Sequence, residues 1–254
     1  MTVRQVYYQL VSGLVIENTR SQYKAVSNAL VDARKTGEIP WEWIEDRLRQ
    51  PRTVNMWSDL ADFSETVKRT YRRDVWPTQS CYLEAWLEKD ALSGIFEDIL
   101  RTYGITLNVG RGYDGWDSIH NAAERYKSRD HVTVLYFGDF DPSGEDMVRS
   151  LRKRLEELGW QPDIVKCALT AEDVRTYRLP ANVTKQTDSR RQAFVNKYGD
   201  VSVELDALPR NILQEKLRMA IETRMDLDAL NEVKHVEGRE ANRLDEFMAG
   251  IDEE

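Results

Sequence analysis

The sequence is poor in the residues that mark several protein classes. Only two cysteines, Cys81 and Cys167, occur in 254 residues, and they lie far apart. That excludes a disulfide framework and a thiolate zinc spacing, so both read as buried thiols. His120, His131 and His235 are scattered without ligand spacing and read as surface or helix residues. No apolar run approaches the roughly 20 residues a bilayer-spanning helix needs. The first residues lack the basic, apolar, small-residue order of a secretory signal. A cytoplasmic location with no membrane partner is therefore expected, at the nucleoid if the source is prokaryotic. No internal repeat or low-complexity tract is seen.

A basic surplus is missing as well. The formal charge is -8, whereas proteins that neutralise phosphates usually carry excess Lys and Arg. The imbalance is uneven, however. Residues 1–80 hold 12 Lys and Arg against 10 Asp and Glu, and the remaining 174 hold 24 against 34. The acid is concentrated in the second part, where bound metal ions would cancel some of it.

What is present is ordinary globular composition, 41% apolar and 31% charged, at a length that suits two modest domains. Val3, Val6, Tyr7, Leu10, Val11 and Leu14 form one helical stripe, opened by a capping box of Thr2 and Gln5. Tyr7 belongs to that stripe and Tyr8 does not, which leaves Tyr8 to face a ligand. A second helix is expected over about Ser21 to Lys35, ending at Gly37. "IPWEWIEDRLRQPR" reads as a Pro-initiated segment and a basic loop. Three short elements with clustered Arg and Lys suit a helix-turn-helix or winged-helix module over residues 1–78, with Lys24, Arg34 and Lys35 as DNA-backbone contacts.

From residue 79 the pattern alternates. "SCYLEAWL", "ITLNVG", "HVTVLYFG" and "PDIVKCAL" read as strands; "KDALSGIFEDILRTYG", "SIHNAAERYK" and "SGEDMVRSLRKRLEELG" read as helices, the last with Ser143 and Asp146 as its cap. Repeated β-α units predict an α/β fold with a mainly parallel sheet, helices on both faces and a site at the carboxyl ends of the strands. "RLPANVTKQTDSRRQAFVNKYGD" reads as an extended polar segment whose Lys185, Arg190 and Arg191 touch DNA backbone or solvent. Residues 209–249 read as a helical extension striped by Leu213, Leu217 and Ile221.

The sharpest local feature is "YFGDFDPSGED". Asp139 and Asp141 are two apart beyond a buried strand, so extended backbone would point both carboxylates one way. Such a pair suits Mg²⁺, which takes one or two carboxylates plus water and phosphate oxygens. Gly138 and Gly144 would let backbone approach closely. An Asp-rich turn capping the next helix is the plainer reading. Glu88 closes the first strand and would reach the same sheet edge as a third acid. Glu84 shares its strand face, farther from that edge.

The glutamate after a first strand, the "GRG" turn Gly110–Arg111–Gly112 after the second, and "DFDPSG" after the third resemble the Toprim domain of the topoisomerase VI A subunit and its meiotic double-strand-break relatives. "VRQVYY" resembles the Arg-x-x-Tyr-Tyr helix of that family's winged-helix domain. Together these motifs cover roughly residues 2–150 in the family's order. The resemblance implies a Mg²⁺-dependent (or Mn²⁺-dependent) double-stranded DNA transesterase. Tyr8 would be the nucleophile forming a 5′-phosphotyrosyl linkage, Arg4 the phosphate ligand, Glu88, Asp139 and Asp141 the metal site, with Glu88 also catalytic, and Arg111 a DNA contact.

It also implies a homodimer in which the tyrosine of one protomer meets the metal site of the other. "GYDGWDSIH" replaces the family's proline and arginine pattern after the glycine turn. The chain contains nothing like the partner ATPase subunit, so strand passage would need a separate one. A shortened, stand-alone relative is the description that fits. A hydrolytic Toprim nuclease using metal-activated water, with Tyr8 structural, is the alternative, and a non-catalytic DNA-binding protein the third.

Overall fold

In a computed structural model of the protein, the described residues are 1–44, 54–110, 115–182, 184 and 188–249, with side chains described to residue 243. Arg111 and Lys185 lie outside them. The N-terminal part is helical: α1 (Val3–Ser12), α2 (Arg20–Lys35), a 3₁₀ turn at Trp41–Trp43 and α3 (Leu60–Thr70), with no strand among its described residues. The α1 capping box forms as the sequence predicts, Thr2 accepting from the Gln5 N–H and Gln5 accepting from the Thr2 N–H at 2.7 Å. Helix α2 ends at a Thr36 cap followed by Gly37 at φ +78°, the left-handed geometry that favours glycine. Helix α3, not anticipated from sequence, starts at Asp59, whose side chain accepts from the Asp62 N–H.

The α/β part is a four-stranded, all-parallel sheet: β1 (Tyr82–Leu87), β2 (Thr106–Val109), β3 (Val132–Phe137) and β4 (Asp163–Ala168), in spatial order β2-β1-β3-β4. Helices α4 (Ser93–Tyr103), α5 (Trp116–Tyr126) and α6 (Pro142–Glu157) make the crossovers. Right-handed crossovers running in opposite directions from the sheet centre put α4 on one face and α5 and α6 on the other. The contacts agree, since α5 packs on α6 while α4 packs on α9 (Arg210–Glu222). Every residue of β1 and β3 is buried, as expected for central parallel strands covered on both faces. Neither cysteine is fully buried.

The expected cap of α6 is corrected. Asp141, not Ser143 or Asp146, is the N-cap, its Oδ1 accepting from the Gly144 N–H at 2.7 Å and from Ser143 Oγ at 2.8 Å, with Pro142 opening the helix. The stretch beyond residue 170 is more structured than its composition predicts, containing α7 (Ala171–Thr176) and α8 (Arg191–Tyr198). Residues 201–203 then run back along the site, with Val203 bridging antiparallel to Phe140 and Ser202 to Asn182. Helix α9 and α10 (Leu227–Ala249) close the chain, and Leu213, Leu217 and Ile221 are buried as their stripe predicts. Among the described residues no helix is long and apolar enough to cross a membrane.

The buried side chains of α1 and α2 join one apolar cluster with those of the sheet. Helix α1 lies between α2 and the 3₁₀ turn at Leu205–Ala207, and this seat brings the start of the chain to the sheet edge.

Candidate functional site

Strand order reverses between β1 and β3, the crevice where ligands bind in open α/β sheets. Their register pairs Leu87 with Phe137, so Glu88 and Asp139 leave the sheet together. The Glu88 N–H donates to the Phe137 carbonyl at 2.9 Å, and Glu88 Oε2 accepts from the Asp139 N–H at 2.8 Å. At 138 a Cβ would stand 2.5 Å from Glu88 Oε2 and 2.7 Å from the Tyr136 ring, so a larger residue would displace these side chains. At 144 a Cβ would run into the Asp139 carbonyl oxygen. Both glycines therefore permit the close approach that the sequence suggested. Lys166 Nζ holds the turn from below, donating to the Asp139 carbonyl at 2.9 Å and to Glu145 at 2.6 Å.

The structure thus unites Glu88 with Asp139, while Asp141 spends one carboxylate oxygen on the α6 cap. Among the described residues no three His, Cys, Asp or Glu side chains are grouped to hold a metal ion. Asp139 and Asp141 do line one cleft of about 140 Å³, together with Ser143, Asn182, Asp188 and Glu204. Burial pushes the Glu88 carboxyl up to about 7, aided by the nearby Asp139 and Asp141 charges. Burial also raises Asp139, and its contact with Lys89 only partly offsets this. Glu88 and Asp139 are thus two hard oxygen donors whose charge the protein compensates incompletely, and Asp139 lines the cleft.

Sequence reasoning missed three members of the site. Lys89 Nζ lies 2.9 Å from Asp139 Oδ1, 2.9 Å from Glu204 Oε2 and 2.8 Å from Asp206 Oδ2. Burial opposes its charge, but Asp206, Asp139 and Glu204 outweigh that and raise its pKa. The antiparallel bridge at Phe140–Val203 sets the next residues over the acids, and the Leu205 N–H donates to Asp139 Oδ1 at 2.7 Å. Burial works against the Glu204 carboxylate too, yet Lys89 and Arg4 hold its pKa below the ordinary value. A signal existed in "VSVELDAL", where acids alternate with apolar residues as on a half-buried strand.

Arg4 completes the network. Its guanidinium binds Glu204 Oε2 and lies 3.7 Å from Asp206 Oδ2. The Tyr8 phenol lies beside Arg4 and Glu204, whose charges act on it in opposite directions. One chain of contacts therefore runs Tyr8–Arg4–Glu204–Lys89–Asp139–Glu88 within a single polypeptide. Glu204 and Lys89 thus link the start of α1 to Asp139 within this chain.

The exposure expected of Tyr8 is corrected. Tyr7 and Tyr8 are each 4% exposed. Tyr7 packs toward α2, its hydroxyl donating to Asn18 Oδ1 at 2.9 Å, while Tyr8 faces the 204–206 segment. Helix α1 has two buried faces, because Gln5 and Tyr8 are covered along with Tyr7 and Val11. Burial, then Glu204, pushes the Tyr8 phenol up to about 12, with Arg4 and Lys89 pulling the other way.

The expected DNA contacts on α2 do not join this network. Lys24 and Lys35 are exposed, and Arg34 lies 4.9 Å over the Trp41 ring while donating to the Leu30 carbonyl. Arg191 pairs with Asp200, and Arg190 with Asp188 and Asp146. Glu84 is a structural acid, wholly buried and held by Arg125 at 2.6 Å, Trp86 Nε1 at 3.2 Å and Asn108. Compared with known proteins, the chain matches no family model and no curated sequence.

Proposed function

We propose that this protein is a Mg²⁺-dependent DNA-cleaving transesterase of topoisomerase VI A type, with a Toprim-like sheet domain and an N-terminal DNA-binding module of winged-helix kind. The observation that carries the reading is the junction of Arg4 and Tyr8 with Glu88 and Asp139, residues at least 80 positions apart, through Glu204 and Lys89. Two motifs matched separately in sequence meet at one place, at the switch point of the sheet.

In the proposed reaction Tyr8 attacks a backbone phosphorus. The Tyr8 oxygen–phosphorus bond forms as the bond from phosphorus to the 3′ oxygen breaks, leaving a 5′-phosphotyrosine and a 3′ hydroxyl. The phenol proton passes to Glu204, the carboxylate beside it, and the departing 3′ oxygen takes a proton from water. Arg4 binds the phosphate oxygens, a role suited to its bidentate fork, and its charge beside Tyr8 favours phenolate. A Mg²⁺ or Mn²⁺ ion held by Glu88 and Asp139, with Asp141 on the same cleft, would supply Lewis-acid stabilisation of the developing charge. Because Tyr8 is covered, DNA entry requires α1 to lift from the 204–206 segment. Cutting both strands takes two copies of the chain, so a homodimer belongs to this reading, and strand passage would add a separate ATPase subunit.

The burial of Tyr8 favours one second reading, a hydrolytic nuclease in which metal-activated water attacks and Tyr8 is structural. Incubating supercoiled DNA with the protein and Mg²⁺, with and without proteinase before electrophoresis, separates the two. Cleaved DNA that enters the gel only after proteinase, and disappears with Tyr8→Phe, supports transesterification. Free ends made equally by Tyr8→Phe support hydrolysis.

A further inference from the structure

Lys89 is surrounded by acid. Its ammonium touches Asp139, Glu204 and Asp206 at 2.8–2.9 Å, and Arg4 shares both Glu204 and Asp206. Counting Glu88, four carboxyl groups share two cations at this corner. A phosphate diester entering as a fifth anion is repelled unless one carboxylate yields its place. The candidates differ in freedom. Glu204 Oε2 and Asp206 Oδ2 each reach both cations, but the Asp206 side chain is 0% exposed and Asp139 14%, while Glu204 is 29% exposed. Glu204 is therefore the partner that can leave, and its departure opens one coordination position on Arg4 and on Lys89 together. The Oδ1 oxygen of Asp206 has no hydrogen-bond partner although it is buried, so Asp206 can take more of both cations once Glu204 withdraws.

We propose that Lys89 and Arg4 form a two-cation phosphate clamp, which Glu204 holds latched and which a DNA phosphate opens by displacing Glu204. The inference rests on the DNA-cleaving reading and adds a phosphate ligand, Lys89, and a gate, Glu204. Exchange of one anion for another leaves the local charge balance unchanged. It also explains how a lysine can sit among the acids of a site that works on a polyanion.

The test is equilibrium binding of a fluorescein-labelled DNA duplex to the full-length protein by anisotropy, in EDTA and over a range of salt. Glu204→Gln should bind about tenfold tighter than wild type, because a carboxylate no longer competes for the clamp. Lys89→Met should bind about tenfold more weakly and lower the salt slope by about one. The decisive variant is Glu204→Gln/Lys89→Met, in which the gain from Glu204→Gln should disappear. General charge repulsion would preserve it. Since Lys89→Met strips buried Asp206 of a partner, the series is repeated with Asp206→Asn, which removes that uncompensated charge.

A gain that survives in the double variant, or an unchanged salt slope in Lys89→Met, overturns the clamp. No DNA binding by any variant overturns the clamp and the DNA reading together. The expected binding pattern in EDTA, joined with no covalent product when supercoiled DNA is incubated with Mg²⁺, overturns the transesterase reading and leaves the clamp standing.

Discussion

At the scale of single residues, the site is governed by uncompensated burial. Glu88 has its pKa pushed up to about 7, first by burial and then by Asp139. In the unfolded chain it is an ordinary carboxyl that loses its proton near pH 4.5. Between those values the native state binds the extra proton, so stability falls as pH rises from about 4.5 to 7. Glu88→Gln removes this loss. The variant should melt higher than wild type at pH 8, by up to about 3 kcal/mol or roughly 2–4 °C per kcal/mol, and match it at pH 4.5. A calorimetric melt at both pH values checks this. Titration calorimetry should show Mg²⁺ binding by wild type, and loss of that heat in Asp139→Asn would locate it.

Residue 144 offers a separate test. A Cβ there meets the Asp139 backbone carbonyl, which cannot give way as a side chain can. Gly144→Ala should destabilise by about 1–3 kcal/mol in urea unfolding. It should also displace Asp139, weakening Mg²⁺ binding. A stable variant with unaltered Mg²⁺ affinity would contradict the close packing.

At the scale of elements, β1 carries acids with opposite roles. Glu88 stands at the open carboxyl end, while Glu84 is sealed inside and neutralised by Arg125. Removing the partner strands a buried charge, so Arg125→Ala should cost about 3–5 kcal/mol, read as a lowered urea midpoint. Arg125→Ala/Glu84→Gln should recover most of it. Helix α1 is the other element under test. Arg4→Ala removes its tie to Glu204 and should speed amide hydrogen exchange across Val3–Ser12 while leaving β1 and β3 protected.

Elements differed in how plainly the sequence announced them. The four strands were legible because runs such as "VTVLYF" are apolar and β-branched, and the α4 boundary because Gly104 closes it in a left-handed turn. Helices α3 and α8 were not. Helix α8 buries only Phe194 and carries no strong apolar stripe, whereas α3 does place Leu60, Phe63 and Val67 at helical spacing, a stripe that sequence reasoning missed and that leaves no α3 residue buried. For the site, local motifs exposed Glu88, Asp139, Asp141, Arg4 and Tyr8 but hid their partners. Glu204 and Asp206 reach the acids through an antiparallel bridge 66 residues downstream of β3, a tertiary event that the local alternation in "VSVELDAL" does not place. The second buried face of α1 was hidden for the same reason, since Tyr8 is covered by a segment nearly 200 positions away.

At the scale of the whole molecule, α1 and the sheet belong to one apolar cluster, and further ties reinforce it. Asn18 donates to Asn182 at 2.9 Å, Tyr71 to Glu240 at 2.6 Å, and the Arg73 N–H to Glu237 at 2.8 Å. Tyrosine and acids therefore act from one chain in this account, even if two copies assemble on DNA. Mixing Tyr8→Phe with Asp139→Asn should leave cleavage lost. Recovery toward a sizeable fraction of wild-type activity would mean that the tyrosine of one copy serves the acids of another.

The most direct measurement is to trap the covalent product on DNA with Mg²⁺, digest it with protease and nuclease, and identify the modified peptide by mass spectrometry. The account predicts a nucleotide phosphate on Tyr8 within the peptide that contains "QVYYQL". Modification of Tyr7 or another tyrosine instead, or cleaved DNA with no nucleotide-bearing peptide, would contradict it.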